Sequence, residues 1–211
     1  MKKSIIVFAL LTFFFSAGIQ AQNSDTREDF TIGVKGGLNI SNVWDSEGED
    51  FEHDARVGFA GGLFLGIPLG KYFGFQPEIL LSQKGFQASG TLLGFPYSFT
   101  KTTSYIDVPL QLQIKPIEYV TFVVGPQYSY LINEKNVYTL GENSIEQEEE
   151  FENDNIRKNI LGFVVGADAN ISHFVLSGRV GWDFLNNNGD GSTTTPRYKN
   201  QWIQLTVGFK L

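Results

Sequence analysis

The 211-residue chain contains no cysteine, two histidines and one methionine. The missing cysteines exclude disulfides, thiolate metal sites and a lipid anchor on an N-terminal cysteine. Two histidines leave little material for imidazole catalysis or a histidine-rich metal site. No run of 18 apolar residues occurs, so no helix is predicted to cross a bilayer. Basic residues are also short: 16 Lys and Arg stand against 23 Asp and Glu, a net charge of −7, which argues against nucleic acid as a partner. Helical periodicity is nearly absent.

Aromatics and glycine are abundant, with 19 Phe, 8 Tyr, 3 Trp and 23 Gly. The mean hydropathy is −0.10. The first residues read as an address. Lys2 and Lys3 precede an apolar stretch over 5–15, broken only by Thr12, and small-to-neutral residues lead to a cleavage site after Ala21. Residues 1–21 are therefore predicted to be a secretory signal peptide, and 22–30 a short extension before the folded domain over 31–211. Cleavage there leaves 14 basic and 23 acidic residues, a mature charge of −9.

The period of the mature chain is two, the signature of strands. In 102–115, Ile106, Val108, Leu110, Leu112 and Ile114 alternate with polar Asp107, Gln111, Gln113 and Lys115. The same pattern predicts eight strands, over 31–41, 56–69, 73–87, 102–115, 119–132, 159–171, 174–185 and 201–211. Phe64, Leu80, Phe86 and Val123 fall on the polar face, against the pattern. Connections alternate in length. Short ones lie at 70–71, 116–118 and 172–173; long ones at 42–55, 88–101, 133–158 and 186–200. All long loops then fall at one end, as in a transmembrane barrel with short periplasmic turns.

The apolar face either points inward, as in a soluble lipocalin-like barrel, or outward to lipid. Small residues on the opposite face suit a narrow eight-strand interior. Phe174 and Phe184 are ten residues apart, which at about 3.3 Å per residue and a tilt near 40° is roughly 25 Å, the height of the apolar band between aromatic girdles. The predicted fold is all-β: an eight-stranded antiparallel up-and-down transmembrane β-barrel.

The stretches GVKGGLNIS (33–41), FQPEILLSQKG (75–85), YIDVPL (105–110) and GPQY (125–128) occur in this order. With them the whole mature chain resembles the PorT-type outer-membrane β-barrel family. That resemblance implies an eight-stranded barrel of the OmpA/OmpX sort in the outer membrane. The family's founding member is associated with a protein secretion system, a role the motifs do not carry over.

Several side chains invite chemistry. Glu78, Lys84, Asp107, Asp168, Arg179 and Asp183 share the polar face at mid-strand. They are predicted to form a salt-bridged lumen network that fills the barrel, with a gated ion path as the alternative. A symmetric hairpin around 88–101 sets Lys84 beside Tyr105 and diagonal to Asp107; the turn at 172–173 sets Asp168 diagonal to Arg179. Seven acids with no base among them run from Glu142 to Asp154, including Glu148, Glu149 and Glu150, and six more lie between Asp45 and Asp54. They read either as a docking surface for a basic protein partner, or a cation-bridged surface, or as solvated loops. NNNGDG (186–191) starts like a calcium loop, but Arg197 stands where a bidentate Glu is needed. His53 with Asp50, Asp54 and a loop serine could imitate a rim active site. No paired motif supports it, and no enzymatic activity and no cofactor are expected. The expected partners are outer-membrane lipid and the barrel-assembly machinery during insertion. No periplasmic domain is expected after Leu211.

Overall fold

The computed structural model describes residues 25–45, 53–92, 95–140, 143–149, 157–187 and 198–211. A short 3-10 turn, Thr26–Glu28, precedes nine strands: β1 (Thr31–Asp45), β2 (His53–Pro68), β3 (Phe73–Leu92), β4 (Phe95–Ile117), β5 (Val120–Leu140), β6 (Asn143–Glu149), β7 (Asn159–Ile171), β8 (Phe174–Asp183) and β9 (Tyr198–Lys210). Every pairing between them is antiparallel. Eight strands close a ring: each of β1 to β4 pairs with the next, β5 pairs with β7, β7 with β8 and β8 with β9, and β9 returns to β1 through pairs such as Leu38–Leu205. β6 lies outside the ring and, among the described residues, pairs with the upper part of β5 alone, from Glu134–Glu149 to Leu140–Asn143.

Alternation turns this sheet inside out relative to a soluble barrel. Val57, Leu63, Ile79, Leu112, Phe122, Leu161, Leu176 and Leu205 point outward and are 41–60% exposed. Charged and amide side chains point inward and are buried, among them Lys35, Glu78, Lys84, Asp107, Gln111, Asp168 and Arg179. An apolar band of that extent around a closed ring requires lipid as its solvent. The ring also leaves no open edge within that band.

Phe64, Leu80, Phe86 and Val123 break the pattern because they are lumen filler. All four are buried inside the ring, where Phe64 lies 5.8 Å from the Lys35 ammonium. Gly181 makes room for another interior ring: a Cβ there would come within 2.3 Å of Trp202. Gly85, at φ +154°, lies beside the place where the β2–β3 register slips, between the pairs Ala55–Phe86 and Ala60–Ser82. That backbone angle suits glycine, and a side chain there would strike the Lys101 carbonyl.

The long connections differ from the sequence expectation. Most of 88–101 is strand, because β3 and β4 continue to a tip between Leu92 and Phe95. Much of 133–158 is strand too, in the top of β5 and in β6. β1 likewise runs on to Asp45, and β9 starts at Tyr198. β3, β4 and β5 are 20, 23 and 21 residues long, while β7, β8 and β9 are 13, 10 and 13. At the tilt used above, 23 residues rise about 58 Å, more than twice the apolar band. Three neighbouring strands therefore project well beyond the ring on the long-loop side.

The short-turn end holds one strained residue. Ser172 sits at φ +53° in the two-residue connection between β7 and β8. A serine pays for that angle where glycine does not. Ser172→Gly is expected to raise the unfolding free energy by about 0.5 kcal/mol, the αL penalty less the backbone entropy that glycine loses. Urea unfolding in lipid vesicles measures it; a destabilised variant would show that the Ser172 hydroxyl contact with His173 Nδ1, at 3.1 Å, outweighs the strain.

Candidate functional site

The inward side chains form stacked layers. Closest to the short turns, the N-terminal segment lies across the mouth. Arg27 Nη1 donates to the Pro116 carbonyl at 3.0 Å, and Lys115 Nζ donates back to the Arg27 carbonyl at 2.8 Å. The Arg27 guanidinium also lies 5.2 Å from the centre of the Tyr72 ring. Asp25 is clamped by Arg27 at 2.6 Å and by Lys71 at 3.1 Å. The Arg27 hydrogen bonds hold the Asp25 carboxyl well below the usual carboxylate range. The clamp is thus intact above the ordinary carboxylate pKa and weakens only as pH falls through that depressed value. Behind the segment, a cavity of about 40 Å³ is lined by Lys35, Gln76, Gln113, Lys115 and Lys210 among others.

The next layer is a cross-lumen ion network. Glu78 Oε1 accepts from Lys35 Nζ and from Gln76 Nε2, both at 2.6 Å. Arg179 Nη1 and Nη2 grip the two oxygens of Asp168 at 2.7 and 3.1 Å. Its Nε donates to Gln111 Oε1 at 3.0 Å, and its Nη2 stands 3.8 Å from Glu78. One guanidinium on β8 therefore ties together β7, β4 and β3.

Above it, Lys84 Nζ lies 3.2 Å from Asp107 Oδ2, 3.8 Å from the Trp202 ring centre and 4.9 Å from that of Tyr105. The register places Lys84 opposite Thr103, and Ser82 opposite Tyr105. The expected Lys84–Tyr105 pairing is thus off by two residues, because the hairpin tip lies one residue earlier than the centre of 88–101. The length of the lysine side chain still carries the ammonium to both Asp107 and Tyr105. Asp183 forms no direct ion pair among the described residues: its Oδ2 accepts from Asn200 Nδ2 at 2.7 Å.

A top layer was not visible in the sequence. Lys101 Nζ meets Glu134 Oε1 at 2.6 Å, and Asn136 Nδ2 donates to the same oxygen at 2.9 Å. Rings surround this pair: Phe86 packs on Phe99 and Tyr198 with centres 5.9 and 5.3 Å apart. Lys101 and Glu134 belong to stretches that read as loops. Strand alternation continued upward from Thr103 reaches Lys101. From Ser129 it would pass Glu134 by; the register slip between the pairs Ser104–Asn133 and Tyr105–Leu131 turns Glu134 inward.

Glu148 and Glu149 lie on β6, and His53 starts β2, but their side chains are outside the described residues. Glu150, Asp50, residues 188–191 and Arg197 are also outside them. Asp54 is exposed on β2 opposite Gln87.

A closed ring with an apolar outside and a polar inside defines an integral outer-membrane β-barrel. The chain belongs to the family described as outer membrane protein beta-barrel domain, whose family model matches residues 20–189. It is located in the outer membrane. No curated protein sequence matches it. Among solved structures it is similar to Ail, the attachment invasion locus protein of Yersinia pestis, at 13% identity, covering 86% of this chain and 98% of that one with a TM-score of 0.47. It is also similar to Neisserial surface protein A, at 11% identity, 85% and 97% coverage and a TM-score of 0.47. A third similarity is to OprG from Pseudomonas aeruginosa, at 13% identity, 88% and 97% coverage and a TM-score of 0.40.

Proposed function

We propose that the protein is a non-enzymatic outer-membrane barrel of the PorT type that acts at the cell surface, holding a protein partner on its projecting strands. Residues 1–21 serve as the signal peptide, and the barrel-assembly machinery inserts the domain. The lumen network of Glu78, Lys84, Asp107, Asp168 and Arg179, with Asp183 bound to Asn200, acts as structural filler. The observation that carries this reading is the inequality of the strands. β3, β4 and β5 exceed what the membrane needs, and a chain that only sealed a ring would gain nothing from that length. The acidic stretch from Glu142 to Asp154, with Glu148, Glu149 and Glu150 at its centre, begins one residue before β6 in the sequence and runs past it, and β6 flanks this projection. Opposite charge steers and selects partners, so a basic protein surface is the complement.

The test is a pull-down from native outer membrane with the folded chain and with the triple variant Glu148→Gln, Glu149→Gln, Glu150→Gln. The expected result is a protein retained by the wild type at low salt and lost from the variant. Recovery of lipid alone by the wild type would sink the surface role and leave a stand-alone barrel.

A further inference from the structure

The outward face carries a groove where β8 and β9 part. Their last ladder pair is Trp182–Gln201. Beyond it the Phe184 amide turns to β7 and donates to the Leu161 carbonyl at 2.9 Å, and backbone bonding to β9 among the described residues resumes where the Asn187 amide donates to the Tyr198 carbonyl at 3.0 Å; on the lumen side the Asp183–Asn200 side-chain bond bridges the gap. The gap between holds a cavity of about 380 Å³. Alternation puts Val180 and Trp182 of β8, Phe184 just after it, and Lys199 and Gln201 of β9 on its lipid side. Phe163 packs against both Trp182 and Phe184, with ring centres 5.6 and 6.2 Å apart.

These residues are graded along the membrane normal. Val180 faces Ile203 across the ladder, both in the apolar band. One step up, Trp182 faces Gln201, an indole and an amide. At the top stand Phe184 and Lys199. Apart from the Trp44–Lys199 strand register, Lys199 has no hydrogen bond, ion pair or ring contact among the described residues. Apolar, then hydrogen-bonding aromatic, then cationic is the order in which a lipid presents acyl chain, ester and phosphate at a membrane interface. Lysine near an anionic lipid surface adds attraction that falls off within a Debye length.

We propose that this groove binds one anionic lipid of the outer leaflet, with its phosphate on Lys199, its ester region against Trp182 and Gln201, and an acyl chain along Val180 and Ile203. The site needs only the membrane location and is independent of any protein partner on the projecting strands.

Native mass spectrometry of the folded full chain, released from micelles doped with phosphatidylglycerol or phosphatidylcholine, tests it. The wild type is expected to retain one phosphatidylglycerol and much less phosphatidylcholine. Lys199→Gln should weaken phosphatidylglycerol retention about five-fold and leave phosphatidylcholine unchanged, the loss expected for one interfacial cation. Lys199→Arg should retain the adduct, and Trp182→Ala should weaken both lipids. Lys71→Gln, at the opposite end of the barrel, should change nothing. Equal retention of the two lipids by the wild type would overturn the site, as would a Lys199→Gln adduct equal to wild type or a Lys71→Gln loss as large as that of Lys199→Gln. Unboiled gel mobility verifies that each variant is folded before its adduct is scored.

Discussion

Arg179→Ala is expected to lower the unfolding free energy of the barrel by about 3–5 kcal/mol, the usual cost of stranding one partner of a buried ion pair. The arginine gives Asp168 two hydrogen bonds, at 2.7 and 3.1 Å, and Gln111 one at 3.0 Å. Asp168 is only 4% exposed, and the cavity of about 40 Å³ that it lines gives its carboxylate little water to turn to when the guanidinium is gone. Glu78 is less affected, because Lys35 holds it at 2.6 Å. This asymmetry gives the prediction its second arm. The double variant Arg179→Met, Asp168→Asn removes both charges while keeping similar volume, and should cost far less than the single alanine. Urea unfolding in lipid vesicles, followed by tryptophan fluorescence, measures both. A single variant costing under about 1 kcal/mol, or a double variant costing as much as the single, would mean that the lumen is wet enough for water to solvate Asp168 unaided.

Lipid contact explains how much of this was legible in the sequence. Alternation is readable wherever one face meets hydrocarbon and the other meets a polar lumen. There the inward and outward sets follow directly, including Lys35, Asp107 and Arg179. Above the membrane both faces meet polar surroundings and the contrast disappears, so 88–92, 95–101, 133–140 and 143–149 read as loops although they are strand. The Lys101–Glu134 pair was hidden for the same reason, and because a register slip in β5 shifts Glu134 out of phase with Ser129 and Leu131 below it. The β3–β4 register was misjudged for a related one: with no apolar pattern near the tip, its position between Leu92 and Phe95 could not be located. Phe64, Leu80, Phe86 and Val123 broke the alternation because a narrow lumen needs bulk as well as polarity, and large apolar side chains supply it. The network partners Gln76, Gln111 and Trp202 were assigned no role for another reason. Which amide or ring a lysine reaches depends on three-dimensional stacking across the lumen, and spacing along one strand does not contain it.

In a planar bilayer at neutral pH the wild-type protein is expected to show no steady, large conductance. Two obstacles lie in series along the lumen. The first is the layer in which Lys35, Glu78, Arg179 and Asp168 neutralise one another while crossing between β1, β3, β7 and β8. Mutual pairing leaves none of these groups free to shed its partner for a passing ion without the cost of an unpaired buried charge. The second is the apolar and aromatic bulk of Leu80, Tyr105 and Trp202, each no more than 3% exposed, with Lys84 held over the two rings. The triple variant Lys35→Ala, Glu78→Ala, Arg179→Ala empties the first obstacle and leaves the second. Step conductance in that variant with a silent wild type would make the ion layer the seal. Silence in both would assign the seal to the rings and leave the ion pairs a purely structural part. A steady, large wild-type conductance would instead mean that the pairs exchange partners readily, and the barrel would then be a small-solute pore whose lumen, more than its projecting strands, is the working part.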